Sequence, residues 1–191
     1  MIRLAILASG TGTNAENIIR YFTGHALISA ALVISNKPDA KLVQKAGRHH
    51  VPAMGFPGQH WKNPAEILEM LSAQQIDYLI LAGFLLKLHP EIVSAFPNKI
   101  LNIHPALLPR YGGKGMYGDY VHQAVIDAGE KTTGITIHLV NEHYDEGKII
   151  FMAECPVLPD DTTETLSRRV HELEYRHFPK VIESYIFPGR L

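Results

Sequence analysis

Short apolar runs alternate with helix-like segments through the first hundred residues, and this alternation constrains the fold more than any other feature. The runs cover residues 2–8, 27–35, 51–56, 78–82 and 99–103. Strands covered on both faces of a parallel sheet are apolar throughout, unlike the alternating strands of a half-exposed sheet. Because a helix-length segment separates each run from the next, the sequence predicts a Rossmann-like, doubly wound α/β fold.

The last third of the chain has a different pattern. Residues 132–140 and 149–157 are two strand-like stretches joined by a polar loop, which predicts a hairpin at the far edge of the sheet. A final helix is predicted from Thr162 or Thr163 to about Tyr175, with Pro179 breaking or restarting it. The expected architecture is a mostly parallel seven-stranded sheet with an antiparallel C-terminal edge hairpin. We expect a single domain over 1–191, with halves of about 1–98 and 99–191.

Composition excludes several classes of function. The 18 basic and 19 acidic residues leave a formal net charge of −1, so the sequence lacks the basic surface typical of nucleic-acid-binding proteins. No apolar run approaches the ~20 residues that span a bilayer. The apolar start lacks the basic segment of a signal peptide. A single cysteine, Cys155, excludes an internal disulfide and favours a cytoplasmic protein, in which we expect a buried structural thiol.

A glycine-rich turn at residues 10–15 joins the first predicted strand to a helix over 16–22. Free backbone N–H groups and the helix dipole make such a turn an anion site, for phosphate above all. Asn14 is the predicted helix N-cap. The spacing also fits the dinucleotide fingerprint G-x-G-x-x-A, but the second strand ends in Ser-Asn-Lys-Pro, without the acidic residue that would hold a ribose. We therefore interpret the turn as a cradle for a single phosphate.

The stretch from 101 to 110 holds the strongest candidates for chemistry. Asn102 and His104 are two apart in a predicted strand, so their side chains point to the same side. An amide offers a fixed N–H donor, and a histidine can donate, accept or change charge near neutral pH, a pair that suits polarisation of a carbonyl group. The alternative interpretation is a strand end whose polar groups satisfy the loop backbone.

Other polar residues are weaker candidates. Asp145, which lies between the two hairpin strands, is either a turn residue or a third member of the site if its loop folds back over Asn102 and His104. His138 is predicted to be a strand residue with a structural hydrogen bond. The remaining histidines lack the spacing and acidic companions of a metal site, and no metal is expected.

Together these motifs resemble those of the phosphoribosylglycinamide formyltransferases, a folate-dependent family, over nearly the whole chain. The segments that carry the resemblance are 9–14, 81–84, 101–109, 134–138 and 145–147. The Asn-x-His-Pro-x-Leu-Leu-Pro motif with a downstream Asp-x-Gly is specific for folate formyltransferases and their hydrolytic relatives. The glycine-rich loop with its Asn indicates the glycinamide ribonucleotide branch and implies the formyltransferase fold.

The resemblance implies transfer of a formyl group from the co-substrate 10-formyltetrahydrofolate to the primary amine of glycinamide ribonucleotide, in purine biosynthesis. It implies that Asn102 and His104 stabilise an oxyanion, while Asp145 pairs with His104, raises its pKa and helps to remove the amine proton. The nucleotide-binding residues that it implies are Gly12, Thr13, Asn14 and Glu174. The folate-binding residues that it implies are Leu85, Leu86, Lys87, Leu88, Asn102, Asn141, Glu142, His143, Tyr144 and Asp145.

On this interpretation the N-terminal half binds phosphate and the C-terminal half carries the catalysis. The expected partners are the two small-molecule substrates, with no nucleic acid and no membrane, and the expected state is a monomer or a homodimer. Leu86 stands where members of the family often have Arg, which puts a side-chain contact to folate there in doubt. The Gly-Gly-Lys-Gly-Met-Tyr-Gly loop at 112–118 replaces a shorter Pro-Gly turn.

Three other functions compete with this one. A formyltetrahydrofolate hydrolase shares the same three catalytic candidates, although hydrolases add an N-terminal regulatory domain that we do not expect here. Another folate-dependent formyltransferase, such as one acting on methionyl-tRNA, adds a C-terminal domain that we also do not expect. A non-enzymatic nucleotide-binding module would explain the glycine-rich loop but would leave Asn102, His104 and Asp145 as coincidence.

Overall fold

The computed structural model describes residues 1–189 and contains seven strands and six α-helices in that range. The strands are β1 (Ile2–Leu7), β2 (Ile28–Ser35), β3 (Ala53–Gly55), β4 (Tyr78–Leu81), β5 (Ile100–His104), β6 (Thr132–Leu139) and β7 (Ile149–Pro156). The helices are α1 (Thr13–Phe22), α2 (Lys41–Arg48), α3 (Pro64–Ala73), α4 (Pro90–Ala95), α5 (Asp119–Asp127) and α6 (Thr163–Ile186). A short 3-10 turn, His60–Lys62, precedes α3.

The strands form one sheet in the order β3-β2-β1-β4-β5-β6-β7. β1 pairs in parallel with β2 and with β4, and β2 pairs in parallel with β3. β6 and β7 pair antiparallel. The predicted mostly parallel sheet with an antiparallel C-terminal edge is therefore confirmed. Leu4, Ile6, Leu32 and Ile34 are fully buried, as expected for apolar strands covered on both faces.

By its internal contacts the chain divides into two compact units, Met1–Leu101 and Asn102–Leu191. In the first unit, α1 and α2 pack against each other and against β2. In the second unit, α6 packs against α5, β6 and β7. The expectation of a single domain with halves of 1–98 and 99–191 stays a prediction, and residues 190 and 191 lie outside the described range.

The last helix is longer than the sequence predicts, because α6 continues through Pro179 to Ile186. The predicted break at Pro179 is wrong. A proline inside a helix removes one hydrogen bond and costs about 3 kcal/mol. On one face of α6, however, Val170, Phe178 and Ile182 are fully buried, and each such side chain contributes roughly 1.5–3 kcal/mol. The packing of that face outweighs the cost of the proline.

The first helix begins earlier than predicted, and its N-cap is Gly12, not Asn14. Gly12 has a φ of 69°, in the left-handed region that glycine adopts without strain. A Cβ atom there would lie 2.4 Å from Cδ1 of Leu42. This tight turn at the start of α1 puts Asn14 inside the first helical turn, so its side chain does not cap the helix.

Two expectations from composition concern residues outside the site. Cys155 is a free, buried cysteine on β7, as predicted, and burial raises the pKa of its thiol. Within residues 1–189, no helix has the length and apolar character that crossing a bilayer requires.

Candidate active site

Asn102 and His104 lie at the carboxyl end of β5, where the chain turns sharply into a loop. Thr136 of β6 holds this loop, since its hydroxyl donates to the carbonyl oxygen of Ala106 at 2.7 Å and accepts from the N–H of Leu108 at 3.0 Å. Thr136 is fully buried, so both bonds form away from water and are costly to break. The loop that follows His104 therefore has a defined path.

Each ring nitrogen of His104 faces a particular partner. Nε2 lies 2.7 Å from the carbonyl oxygen of Tyr111, and Nδ1 lies 3.6 Å from Oδ2 of Asp145. A carbonyl oxygen only accepts hydrogen bonds, so Nε2 carries the proton and Nδ1 of the neutral ring is bare. The bare nitrogen can accept a proton beside a carboxylate that would balance the resulting charge.

Asp145 reaches His104 because the loop between β6 and β7 folds back onto the end of β6. Gly147 permits this approach, since a Cβ atom there would lie 1.7 Å from the carbonyl oxygen of Leu139. Oδ2 of Asp145 also accepts a hydrogen bond from the N–H of Gly113 at 2.9 Å. The structure thus brings Asp145 and His104 together, and their catalytic role stays a prediction.

His138 also belongs to this cluster, although the sequence predicts only a structural hydrogen bond for it. Its Nε2 lies 3.0 Å from Nδ2 of Asn102 and 3.5 Å from Oδ1 of Asp145. Its Nδ1 donates to the carbonyl oxygen of Leu139 at 2.8 Å, so Nε2 is the acceptor for the amide of Asn102. The sequence does show that Thr136 and His138 are two residues apart in one strand, so their side chains lie on the same face of it. It does not show that this face contacts Asn102.

The charge state of the cluster differs from the expectation in one respect. Burial lowers the pKa of His104 below its ordinary value, and this outweighs the opposite effects of Asp145 and of the Tyr111 carbonyl. Asp145 does raise the pKa of His104, as predicted, but desolvation of the imidazolium is the larger effect, so the net shift of this pKa is downward. Burial disfavours the charge of Asp145, but His138, His104 and the N–H of Gly113 together hold its pKa below the ordinary value. At neutral pH the pair is a neutral imidazole beside a carboxylate.

In the first unit, Gly12, Thr13 and Asn14 are consecutive at the start of α1. The first N–H groups of a helix have no partner within the helix, and the dipole is positive at that end. Glu16 in the first turn would oppose an anion, but Nζ of Lys45 lies 3.1 Å and a guanidinium nitrogen of Arg20 lies 2.8 Å from its carboxylate. The charge of Glu16 is thus balanced by neighbouring cations.

Ser9 joins this loop to the turn that follows β4. Its N–H donates to the carbonyl oxygen of Gly83 at 2.9 Å, and its hydroxyl accepts from the N–H of Leu85 at 2.8 Å. These two bonds fix the start of the segment predicted to bind folate. That segment comprises Leu85 and Lys87, which are exposed, Leu86, which is half-buried, and Leu88, which is buried.

The other predicted folate-binding residues lie in the loop between β6 and β7. Asn141, Glu142, His143 and Tyr144 are all exposed there. Oδ1 of Asn141 accepts from the N–H of His143 at 2.8 Å, which closes a tight turn just ahead of Asp145. The loop therefore presents polar side chains and backbone groups beside the cluster.

Glu174, the predicted nucleotide contact, is buried on α6. Its Oε2 lies 3.8 Å from Nε2 of His171.

Among the described residues, no group of three or more His, Cys, Asp and Glu side chains is arranged to hold a metal ion. The chemistry that the cluster can perform rests on the amide, imidazole and carboxylate groups named above.

Known proteins are similar to this chain over nearly its whole length. The formyl transferase family model matches residues 2–182. The phosphoribosylglycinamide formyltransferase of Haemophilus influenzae is 38% identical over 196 aligned residues, which cover 100% of this chain and 90% of that protein. The chloroplastic phosphoribosylglycinamide formyltransferase of Arabidopsis thaliana is 38% identical over 186 residues and 94% of this chain. The chain spans 64% of the length of the Arabidopsis protein.

Solved structures agree with the sequence comparisons. The crystal structure of phosphoribosylglycinamide formyltransferase from Bacillus halodurans superposes with a TM-score of 0.89 at 33% identity, covering 98% of this chain and 96% of that one. The resemblance drawn from the motifs is therefore confirmed over nearly the whole sequence, and the chain belongs to the formyl transferase family.

Proposed function

We propose that this protein transfers the formyl group of 10-formyltetrahydrofolate to the primary amine of glycinamide ribonucleotide. The observation that carries the proposal is the cluster formed by Asn102, His104 and Asp145, with 3.6 Å between the histidine and the carboxylate. The names of the similar proteins from Haemophilus influenzae and Arabidopsis thaliana support the same reaction. A binding module would have no use for a bare imidazole nitrogen beside a carboxylate.

The reaction begins when the neutral amine of the nucleotide attacks the formyl carbon. The electrons of the carbonyl bond move to the oxygen. The resulting oxyanion is stabilised by the second N–H of Asn102, whose first N–H donates to His138 and so orients the amide. The attacking nitrogen must lose a proton, and Nδ1 of His104 accepts it, directly or through a water molecule. The imidazolium then stabilises the oxyanion, and Asp145 balances its positive charge.

The intermediate collapses when the bond between the formyl carbon and N10 of the folate breaks. The electrons of that bond leave with N10, which takes the proton held by His104. The products are the formylated nucleotide and tetrahydrofolate, and His104 returns to its neutral form. This cycle uses the lowered pKa of His104, since a histidine that is neutral at pH 7 is ready to act as a base.

The remaining predicted residues bind the two substrates. Gly12, Thr13 and Asn14 hold the ribose phosphate through the N-terminus of α1, and Glu174 contacts the nucleotide. Leu85, Leu86, Lys87 and Leu88 contact the pterin largely through backbone groups, together with the loop from Asn141 to Asp145. The folate is a co-substrate, and we assign no metal. A cytoplasmic location and a monomeric or homodimeric state also stay predictions.

The test is turnover of 10-formyltetrahydrofolate, followed by absorbance, with and without glycinamide ribonucleotide. Folate product that forms only with the nucleotide would support the proposal. Equal release without the nucleotide would identify a hydrolase instead. No release under either condition, with retained binding of the nucleotide, would favour the binding module.

A further inference from the structure

Tyr111 has an unusual backbone conformation at a position that contacts the site. Its φ is 56°, in the left-handed region that bulky side chains rarely adopt. Its carbonyl oxygen is the group that accepts from Nε2 of His104 at 2.7 Å. A residue in such a conformation needs other contacts to keep it there, so the contacts of its side chain bear on the orientation of His104.

The side chain of Tyr111 is held by Glu130, which lies between α5 and β6. The hydroxyl of Tyr111 donates to Oε1 of Glu130 at 2.7 Å. Glu130 is itself anchored by its backbone, whose N–H donates to the carbonyl oxygen of Val125 at 3.3 Å, and its carboxylate is only 18% exposed. Arg110 donates to Oε2 of Glu130 at 3.1 Å and lies over the Tyr111 ring, 5.3 Å from its centroid.

We propose that Tyr111 and Glu130 are positioning residues for His104, which hold the Tyr111 carbonyl where it keeps the ring proton on Nε2. In this arrangement Nδ1 stays bare and directed toward Asp145, which the proposed formyl transfer requires. The expected effect on kcat rests on that proposed function. The position of the proton on the His104 ring does not, because it can be measured in the protein without substrates.

Arg110 and Tyr111 both contact Glu130, but the two contacts contribute differently to the position of the Tyr111 carbonyl. The Arg110 side chain is 64% exposed, and exposed ion pairs contribute little. The hydrogen bond from the Tyr111 hydroxyl is part-buried, and it acts directly on the residue whose backbone touches His104. Removing the hydroxyl of Tyr111 or the charge of Glu130 should therefore release the Tyr111 carbonyl.

The test compares Tyr111→Phe and Glu130→Gln with Tyr120→Phe, which makes the same chemical change at an exposed tyrosine of α5. We expect kcat to fall about tenfold in the first two variants, while the KM of each substrate changes little. This loss is smaller than the ~10²-fold loss that follows when a catalytic group is displaced by 1 Å. The hydrogen bond to Tyr111 raises the pKa of His104, so its loss should move the acidic limb of the kcat/KM profile to lower pH. Tyr120→Phe should match the unmodified protein.

A second measurement does not depend on turnover. In the unmodified protein, nitrogen-15 NMR should show His104 protonated on Nε2, with the signal assigned by its loss in His104→Asn. Tyr111→Phe and Glu130→Gln should give a mixture of the two tautomers. If both variants keep the kcat, the pH profile and the Nε2–H signal of the unmodified protein, the proposed positioning role is wrong. If the unmodified protein transfers no formyl group, the proposed function fails, and the NMR signals still decide the role of Tyr111.

Discussion

The side-chain amide of Asn102 lies 3.0 Å from Nε2 of His138, and this contact sets which way the amide faces. Because Nδ1 of His138 donates to a backbone carbonyl, Nε2 of the neutral ring accepts, and Nδ2 of Asn102 is the donor. One N–H of the amide is then used by His138, and the other remains for a substrate oxygen. The oxyanion donor in the proposed reaction is thus oriented by a residue on the neighbouring β6.

Asn102→Ala should reduce kcat by about 10²–10³-fold, because it removes a donor whose bond strengthens as the oxyanion forms. The KM values should change much less, since the interaction is made mainly in the transition state. Steady-state kinetics with both substrates would test this. A matched truncation at the exposed Gln123 of α5, Gln123→Ala, should leave kcat unchanged, and an Asn102→Ala variant with full turnover would contradict the assignment.

His138→Leu should reduce kcat by roughly tenfold, because the amide of Asn102 loses its acceptor and is free to rotate. The effect acts through Asn102, so the double variant Asn102→Ala/His138→Leu should be little slower than Asn102→Ala alone. A double-mutant cycle on kcat measures this coupling. Losses that simply multiply would mean that His138 acts independently of Asn102.

The pH dependence of kcat/KM follows from the lowered pKa of His104. Since burial favours the neutral ring, the base should stay active below the ordinary pKa of histidine, and the acidic limb should lie on the acidic side of that value. The charge of Asp145 favours the imidazolium, so Asp145→Asn should move the limb further toward acid as well as lower kcat. Profiles of kcat/KM from pH 4 to 8 for the unmodified protein and for Asp145→Asn would test this shift. An acidic limb that moves toward neutral pH in Asp145→Asn would contradict the prediction.

Gly12→Ala should weaken binding of the nucleotide and destabilise the first unit, whereas Gly24→Ala should only destabilise. Both glycines have positive φ, 69° and 74°, so each substitution carries a similar backbone cost of roughly 1 kcal/mol. A Cβ at Gly12 would also lie 2.4 Å from Leu42, while at Gly24 it meets nothing within 4 Å. Calorimetric titration with glycinamide ribonucleotide, together with urea unfolding, separates the two effects. Equal affinities in the two variants would argue against the phosphate site.

Asp161→Asn should lower the free energy of unfolding by about 2 kcal/mol at pH 7, because it breaks charge-assisted hydrogen bonds. Asp161 accepts from Arg169 at 2.6 and 3.0 Å and from the N–H of Leu158 at 2.7 Å. These contacts hold the pKa of Asp161 well below its ordinary value. The stabilisation is therefore complete above the pKa of an unfolded aspartate, about 4, and is lost as the pH falls toward the folded value.

Urea unfolding at pH 7 and at pH 3 would measure the effect of Asp161→Asn, with Asp160→Asn as the control. Asp160 is the adjacent carboxylate and is exposed. The control should match the unmodified protein at both values of pH. Protonation of Asp161 removes the same interaction from the unmodified protein, so the loss of unfolding free energy in Asp161→Asn should be smaller at pH 3 than at pH 7. A larger loss at pH 3 would contradict this prediction.

The fold class and the placement of Asn102 and His104 on one side of a strand could be predicted from the sequence. Apolar strands that alternate with helices favour a parallel sheet covered on both faces, so the fold class follows from the local pattern of the chain. Residues two apart in a strand point to the same side, which puts the side chains of Asn102 and His104 together. The glycine-rich turn predicts an anion site at the start of α1. These features depend on neighbours within a few residues.

The completion of the site depends on contacts between residues that are distant in the sequence. Asp145 and His138 contact Asn102 and His104 across more than thirty positions of sequence, and no local pattern encodes such an approach. The lowered pKa of His104 likewise depends on burial, which the whole fold produces. The same reason explains the error at Pro179, where the packing of α6 against the sheet outweighs a local signal that favours a break.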